Sequence, residues 1–316
     1  MILMGEMIYF PIMILTHDFH EILLVIRLHE NGFVLTMDEN EVSYLKEGIF
    51  QMNKEKRIQN TGQTPRVIAI ANSKGGSGKT ATTFNLGCEL ARRGEKVLLW
   101  DIDPQASLTN CFKVELPQSQ LYTDDILATE KLDVTKAPVK VGDNLYLIPA
   151  TQALGGVEGL LSEGDNIQRV KRCLDRLAHM EFTFVLLDPP GSTDIFMSAA
   201  LVAAKEVLIP VRPTDSDFST MVDFKEAIEK VRALNPEIEV KGILFNQVIT
   251  SSKNQKIYRS FLEEANWSDL VCKTSVRMAT TVANAPGKGK DVIAFDPKSK
   301  AADDYRSLAK EVMSWN

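Results

Sequence analysis

The sequence predicts an α/β fold in which a doubly wound, mostly parallel sheet carries helices on both faces. Three observations predict it. From Arg66 onward, short runs rich in valine, isoleucine and leucine alternate with stretches of helical periodicity, the order that repeated strand–helix–strand units produce. Several runs are apolar at every position, as strands are when both faces of a sheet are covered. The first run opens into a glycine-rich loop that leads directly into a helix-forming stretch.

In chain order, the candidate strands are residues 67–71, 97–101, 145–149, 184–188, 207–211 and 240–246. After the glycine-rich loop, Phe84, Cys88 and Ala91 recur at helical spacing. Arg92 and Arg93 fall in the last turn of that helix, before Gly94, where cations suit the negative end of the helix dipole. Further helices are expected at 194–204, 219–234, 255–265 and 302–315. Residues 1–64 do not share this rhythm and form a short N-terminal extension, with a weak helical pattern over 41–52. The polar, basic stretch 54–63 is a linker, and the α/β domain follows over 65–316.

A chain of 316 residues with 44% hydrophobic content is long enough to bury a full core. Its formal net charge of −6 means that any affinity for nucleic acid must come from a local basic patch. Cys88, Cys111, Cys173 and Cys272 are widely spaced with no C-x-x-C pair, so neither a zinc knuckle nor a disulfide framework is indicated, and a reducing compartment fits. The apolar N-terminus is interrupted by Glu6, Pro11, Asp18 and Glu21, short of the roughly 20 apolar residues that a bilayer span needs. It also lacks the positive start and small-residue cleavage site of a secretory signal, so a cytoplasmic protein is expected.

The loop Lys74-Gly75-Gly76-Ser77-Gly78-Lys79-Thr80 departs by one position from the Walker A pattern of P-loop NTPases, having Ser73 where that pattern has glycine. The physics of an anion cradle is unaffected. The three glycines permit a tight wrap whose N–H groups face a phosphate, with Ala81 carrying the chain into the helix. Lys79 is placed to contact the β and γ phosphates of a nucleotide, and the Thr80 hydroxyl to ligate magnesium. Further on, Phe184-Val185-Leu186-Leu187-Asp188 is an apolar strand ending in a carboxylate, the form of a Walker B element. Asp188 is then a magnesium residue acting through water, because this cation keeps much of its hydration shell.

With the extra lysine at Lys74, the loop resembles the deviant Walker A of the ParA/MinD superfamily, and within it the chain is identified with the ParA-type partition ATPases. That resemblance implies that Lys74 crosses a dimer interface to the partner's nucleotide. The segment Asp101-Ile102-Asp103-Pro104-Gln105 is similar to a D-x-D-P-Q segment of the family, which implies that Asp103 orients the attacking water and Asp101 supports the magnesium shell. Asn246 matches the asparagine that reads adenine, and Pro286 joins it as a nucleotide-binding residue. The resemblance covers residues 66–316 and implies an ATPase that dimerises on ATP with magnesium, binds nonspecific DNA and is stimulated by a ParB-type centromere-binding partner. It implies a nucleoid-associated place in the cytoplasm.

The chain departs from the family where Lys273-Thr274 replaces a proline-arginine pair, and where extra residues separate Arg277 from Ala285-Pro286. The DNA-contacting set expected here is Arg277, Lys273, Lys288 and Lys290, with Lys253, Lys256 and Arg259 as further members. Longer partition ATPases carry an N-terminal helix-turn-helix domain, for which residues 1–64 are short. One alternative is a MinD-like membrane-cycling ATPase, which needs a basic amphipathic C-terminal helix; Tyr305, Leu308, Ala309, Val312 and Met313 do fall on one face, but Asp303, Asp304 and Glu311 offset Arg306 and Lys310 and favour core packing. A second alternative is a P-loop amide-forming synthetase. An iron–sulfur reductase would need paired interface cysteines, which this sequence does not show.

Overall fold

In the computed structural model the described residues are 12–17, 21–28, 31–37, 64–249, 262 and 267–315. The chain divides into two compact units, Met1–Gln63 and Thr64–Asn316. The expected helical stretches at 41–52 and 255–265 and the linker at 54–63 lie outside the described residues, apart from Leu262.

In the first unit, β1 (Ile12–His17), β2 (Glu21–Leu28) and β3 (Asn31–Met37) form a three-stranded antiparallel sheet in the order β1-β2-β3. The registers pair His17 with Glu21 and Leu28 with Asn31, so strands consecutive in the chain are antiparallel neighbours in the sheet. This sheet was not among the expected strands. Its apolar residues run on without a clear alternation, so their period does not announce a strand.

The second unit is built on a seven-stranded sheet. Its strands are β4 (Arg66–Ile70), β5 (Val97–Asp101), β6 (Val139–Gly142), β7 (Leu145–Ile148), β8 (Phe184–Asp188), β9 (Glu206–Val211) and β10 (Glu239–Phe245). The spatial order is β10-β9-β4-β8-β5-β7-β6, and every pairing is parallel except β6 with β7. The longer helices are α1 (Lys79–Arg92), α2 (Arg169–Leu177), α3 (Ile195–Ala203), α4 (Asp215–Val231) and α5 (Lys300–Met313). All six expected strands are present within a residue at each end, and only the half-exposed edge strand β6 was unforeseen among the seven.

Alternate residues of the strands serve two cores. Val67, Ala69, Leu98, Trp100, Val185 and Leu187 pack with residues of α2, α3 and α4. Ile68, Ile70, Val97, Leu99, Phe184 and Leu186 pack with α1 and α5. Helices therefore cover both faces, which is why these strands are apolar at every position. Of the apolar face of α5, Tyr305, Leu308, Ala309 and Val312 are fully buried in the second core, whereas Met313, in the last turn, is exposed. Each large side chain on such a face contributes roughly 1.5–3 kcal/mol. Among the described residues no helix is long and apolar enough to cross a membrane.

Chain order places the site. β4 lies between β9 and β8, so the chain goes to one side through β5, β6 and β7 and then returns to the other through β8, β9 and β10. A crevice at the carboxyl ends of the strands, where direction reverses, is the place for a ligand in such sheets.

Candidate functional site

Residues 71–78 join the end of β4 to α1. The buried Asn72 shapes the start of this loop: its side-chain nitrogen donates to the Pro210 carbonyl at 2.8 Å, and its oxygen accepts from the Lys74 N–H at 3.0 Å. Gly78 caps α1 at φ 93°, a left-handed conformation costly for other residues, and no side chain caps the helix there. A Cβ on Gly78 would lie 2.1 Å from Asn246 Nδ2. That close approach has a cause. The Asn246 amide donates to the Ser77 carbonyl at 3.0 Å, and the Gln247 amide donates to the Gly76 carbonyl at 2.8 Å. With these carbonyls held by the end of β10, a row of glycine N–H groups at a helix N-terminus is what the loop offers an anion.

Lys79 is buried, and its ammonium donates to the Lys74 carbonyl at 3.2 Å. Burial lowers its pKa, while the charges of Asp188 and Asp103 act in the opposite sense. Gly191, three residues past β8, abuts the loop so closely that a Cβ there would lie 2.8 Å from Lys79 Nζ and 2.9 Å from Gly75 Cα.

Asp101 and Asp188 end the adjacent strands β5 and β8 in direct register, and both are fully buried. Thr83, one turn into α1, donates its hydroxyl to Asp188 Oδ1 at 3.0 Å, whereas Asp188 Oδ2 is buried without a hydrogen-bond partner. Burial first, and the neighbouring Asp101 second, push the Asp188 carboxyl up to about 8; the Thr80 and Thr83 hydroxyls and Lys79 oppose this. Asp101 accepts from the Thr109 N–H at 2.8 Å, the Thr109 hydroxyl at 2.7 Å and the Asp103 N–H at 3.2 Å. Its carboxyl is still raised to about 6 by burial. Asp103 sits at the half-exposed rim, with Oδ1 accepting from the Gln105 N–H at 2.8 Å.

Two buried carboxyls whose charged forms burial disfavours, one with an orphaned oxygen, are out of balance as they stand. They fit a hard divalent cation with oxygen ligands, with the Thr80 hydroxyl as a further donor.

At the front of the loop, Lys74 Nζ lies 3.1 Å from Asp217 Oδ2. Asp217, in the first turn of α4, also takes the Arg212 guanidinium and the Thr214 hydroxyl. Burial alone would raise its pKa, but donation from Arg212, Thr214 and Lys74 holds it below the usual carboxylate range.

The fold thus gathers Lys74, Gly75, Gly76, Ser77, Gly78, Lys79, Thr80, Asp101, Asp103 and Asp188 at one end of the sheet, with Ala81 in the first turn of α1. Asn246 is there too, but both ends of its amide are engaged within the chain, since its oxygen accepts the Gln247 N–H at 2.8 Å. Pro286 opens a short 3-10 turn; beyond that turn the Val292 N–H reaches Asn85 Oδ1 of α1 at 2.7 Å, and Asp291 pairs with Arg92 at 2.9 Å.

The basic set is arranged differently. Lys273, Lys288 and Lys290 are exposed, whereas Arg277 is clamped on Asp304, with its Nε at 2.6 Å and Nη2 at 2.7 Å. Lys253, Lys256 and Arg259 lie outside the described residues. Sequence reasoning missed Thr83, Thr109, Arg212, Asp217 and Gln247. Thr83 carries a signal, its helical spacing from Thr80, and the others are joined to the loop only by the fold.

The family model described as an AAA domain matches residues 65–240. The sporulation initiation inhibitor protein Soj of Bacillus subtilis is 34% identical over 256 residues, covering 78% of this chain and 98% of Soj. This chain belongs to the ParA/MinD family of ATPases. The chromosome partitioning protein ParA of Caulobacter vibrioides (strain NA1000 / CB15N) is 33% identical over 79% of this chain and 94% of its own length. Among solved structures, cobyrinic acid a,c-diamide synthase from Mycobacterium smegmatis with bound ADP and magnesium is similar at a TM-score of 0.66 and 26% identity, covering 79% of this ParA-type chain and 94% of the synthase.

Proposed function

We propose that the chain is a partition ATPase that binds ATP with magnesium, dimerises around two nucleotides and changes its grip on DNA with nucleotide state. The observation that carries this reading is the buried pair Asp101 and Asp188 beside Lys79, at the open end of a glycine loop fronted by Lys74. Soj and ParA, both similar along most of the chain, give the same direction.

The roles follow from position. The loop N–H groups from Gly75 to Lys79 hold the phosphates, and Lys79 neutralises their charge from beneath. Thr80 and Asp188 hold magnesium, and Asp101 supports them from the next strand. Magnesium, when bound, neutralises charge that develops on the phosphates. Asp103, fixed at the rim by Gln105, orients a water for in-line attack, and such positioning is most of what phosphoryl transfer asks of a protein. Lys74 reaches the partner subunit's nucleotide. Asn246 and Pro286 form the adenine side, for which Asn246 must exchange an internal hydrogen bond. The exposed Lys273, Lys288 and Lys290, with Arg277, contact DNA phosphates, which carry no sequence information. A ParB-type partner stimulates hydrolysis, and the protein works on the nucleoid in the cytoplasm.

Tyr305, Leu308, Ala309 and Val312 of α5 lie in the core and leave only Met313 of that face exposed, which weighs against a membrane-cycling role through this helix. The likeness to the synthase keeps amide formation as the second reading. One comparison tests the proposal: size and random-sequence DNA binding of wild type, Lys79→Ala and Asp103→Ala, each in ATP and in ADP. Wild type should dimerise and bind DNA only in ATP, Lys79→Ala should do neither, and Asp103→Ala should remain a dimer because hydrolysis falls by roughly a hundredfold or more. A wild type that stays monomeric in ATP, or that forms product from a small acceptor, would overturn it.

A further inference from the structure

The carboxylate that holds Lys74 carries more positive charge than it needs. Asp217 is fully buried, and its Oδ2 lies 3.1 Å from Lys74 Nζ and 3.1 Å from Arg212 Nη2; Oδ1 lies 3.2 Å from Arg212 Nε. The Thr214 hydroxyl donates to Oδ2 at 2.5 Å. One buried negative charge thus faces two cations, whose side chains are 21% and 31% exposed. The cations are not equivalent on this carboxylate. Arg212 follows directly on β9 and grips Asp217 with two nitrogens in the fork geometry that suits a carboxylate, while Lys74 reaches Asp217 Oδ2 from a loop with one ammonium.

Removing the sole counter-ion of a buried carboxylate is costly, because the charge is left without compensation. Here the departure of Lys74 would leave Arg212 and Thr214 in place. We propose that Arg212 is a positioning residue for Lys74: by keeping Asp217 paired, it lets Lys74 leave its own subunit's carboxylate and reach a phosphate on a second copy of the chain. This rests on the dimeric ATPase reading above and adds a named exchange to it. Asp217 is the resting place of Lys74, and Arg212 makes that place releasable. Arg212 Nη1, which Asp217 does not use, lies 3.8 Å from where a Cβ on Gly76 would be, so the guanidinium sits beside the loop that Lys74 belongs to.

The test uses the full chain with a nonhydrolysable ATP analogue and reads the dimerisation constant by sedimentation. Affinity for ADP is titrated separately. Arg212→Ala should raise the dimer dissociation constant by about tenfold, the usual scale for one charge-assisted contact, because Lys74 becomes the carboxylate's remaining cation. Arg212→Lys should recover most of that deficit. Asp217→Asn should move the constant the other way, since a neutral amide holds Lys74 less, and combining it with Arg212→Ala should cancel the defect. If Arg212→Ala does not fold, Arg212→Gln, which keeps the length of the side chain without its charge, replaces it in the comparison with Asp217→Asn. Unchanged dimerisation in these variants, or an equal fall in ADP affinity, would overturn the inference while leaving the dimeric reading intact. A wild type that stays monomeric with the analogue would overturn both.

Discussion

At the phosphate loop Asp101, Asp188 and Lys79 are buried, and one oxygen of Asp188 lacks a hydrogen-bond partner; along 273–290 the charged groups are mostly exposed, and Arg277 is already paired with Asp304. The first region stores unfavourable electrostatics in two buried carboxylates and a buried lysine, and these become favourable once a cation and a polyanion arrive. The second stores none. Charges in water cost nothing to keep, and for the same reason each contributes little until many act together. Single substitutions should therefore act sharply at the loop, whereas any contribution of the basic stretch to DNA binding should be graded.

The sharpest way to break the comparison is Gly78→Ala. A side chain there meets both a left-handed φ and the Asn246 amide 2.1 Å away, so nucleotide binding should be abolished and the melting temperature should fall. The strain and overpacking together amount to roughly 2–5 kcal/mol. Calorimetry with ATP checks the first outcome and thermal melts the second, and near-normal ATP binding would mean that the loop is not preorganised as described.

A smaller effect lies in pH. The folded protein holds Asp188 at about 8 and Asp101 at about 6, whereas an unfolded chain has aspartates near about 4. Raised carboxyls bind protons in the fold that the unfolded chain has released, so their contribution is fully present at low pH and is lost as pH rises to about 8. Without nucleotide or magnesium, the melting temperature should fall across this window more in wild type than in Asp188→Asn, and magnesium with ATP should flatten the wild-type slope. Parallel curves for the two proteins would remove Asp188 as the cause.

The smallest effects belong to the basic stretch. Lys288→Ala with Lys290→Ala should reduce the slope of log affinity for random-sequence DNA against log salt by about 0.9 for each DNA phosphate that is no longer neutralised. Arg277→Ala should change it less, because Asp304 already neutralises that charge, and Asp304→Ala should strengthen binding by releasing the guanidinium. Equal slopes in all variants would place the DNA surface elsewhere.

Legibility followed the same divide. The strands from 66 to 245 could be read because residues such as Ile68 to Ile70 and Leu98 to Trp100 are apolar on both faces, and the phosphate loop because its glycines, lysine and threonine are contiguous. Strand β6 was missed because an edge with one face half in water has no strong period, and the N-terminal strands because unbroken apolar runs hide theirs. Asp217 was invisible for another reason. It lies more than 140 residues from Lys74, and no pattern local to either predicts that they meet.

By itself the sequence determined what is local: strand and helix identity through hydrophobic period, and the phosphate loop through residues that touch along the chain. Only the tertiary structure decided which distant charges share a site. It set Asp101 against Asp188 across two parallel strands, put Asn246 and Gln247 on the loop carbonyls, gave Lys74 and Arg212 the same buried carboxylate, and joined Arg277 to Asp304. The physical reason is that electrostatic partnership depends on distance and burial in space, and neither is a function of separation along the chain.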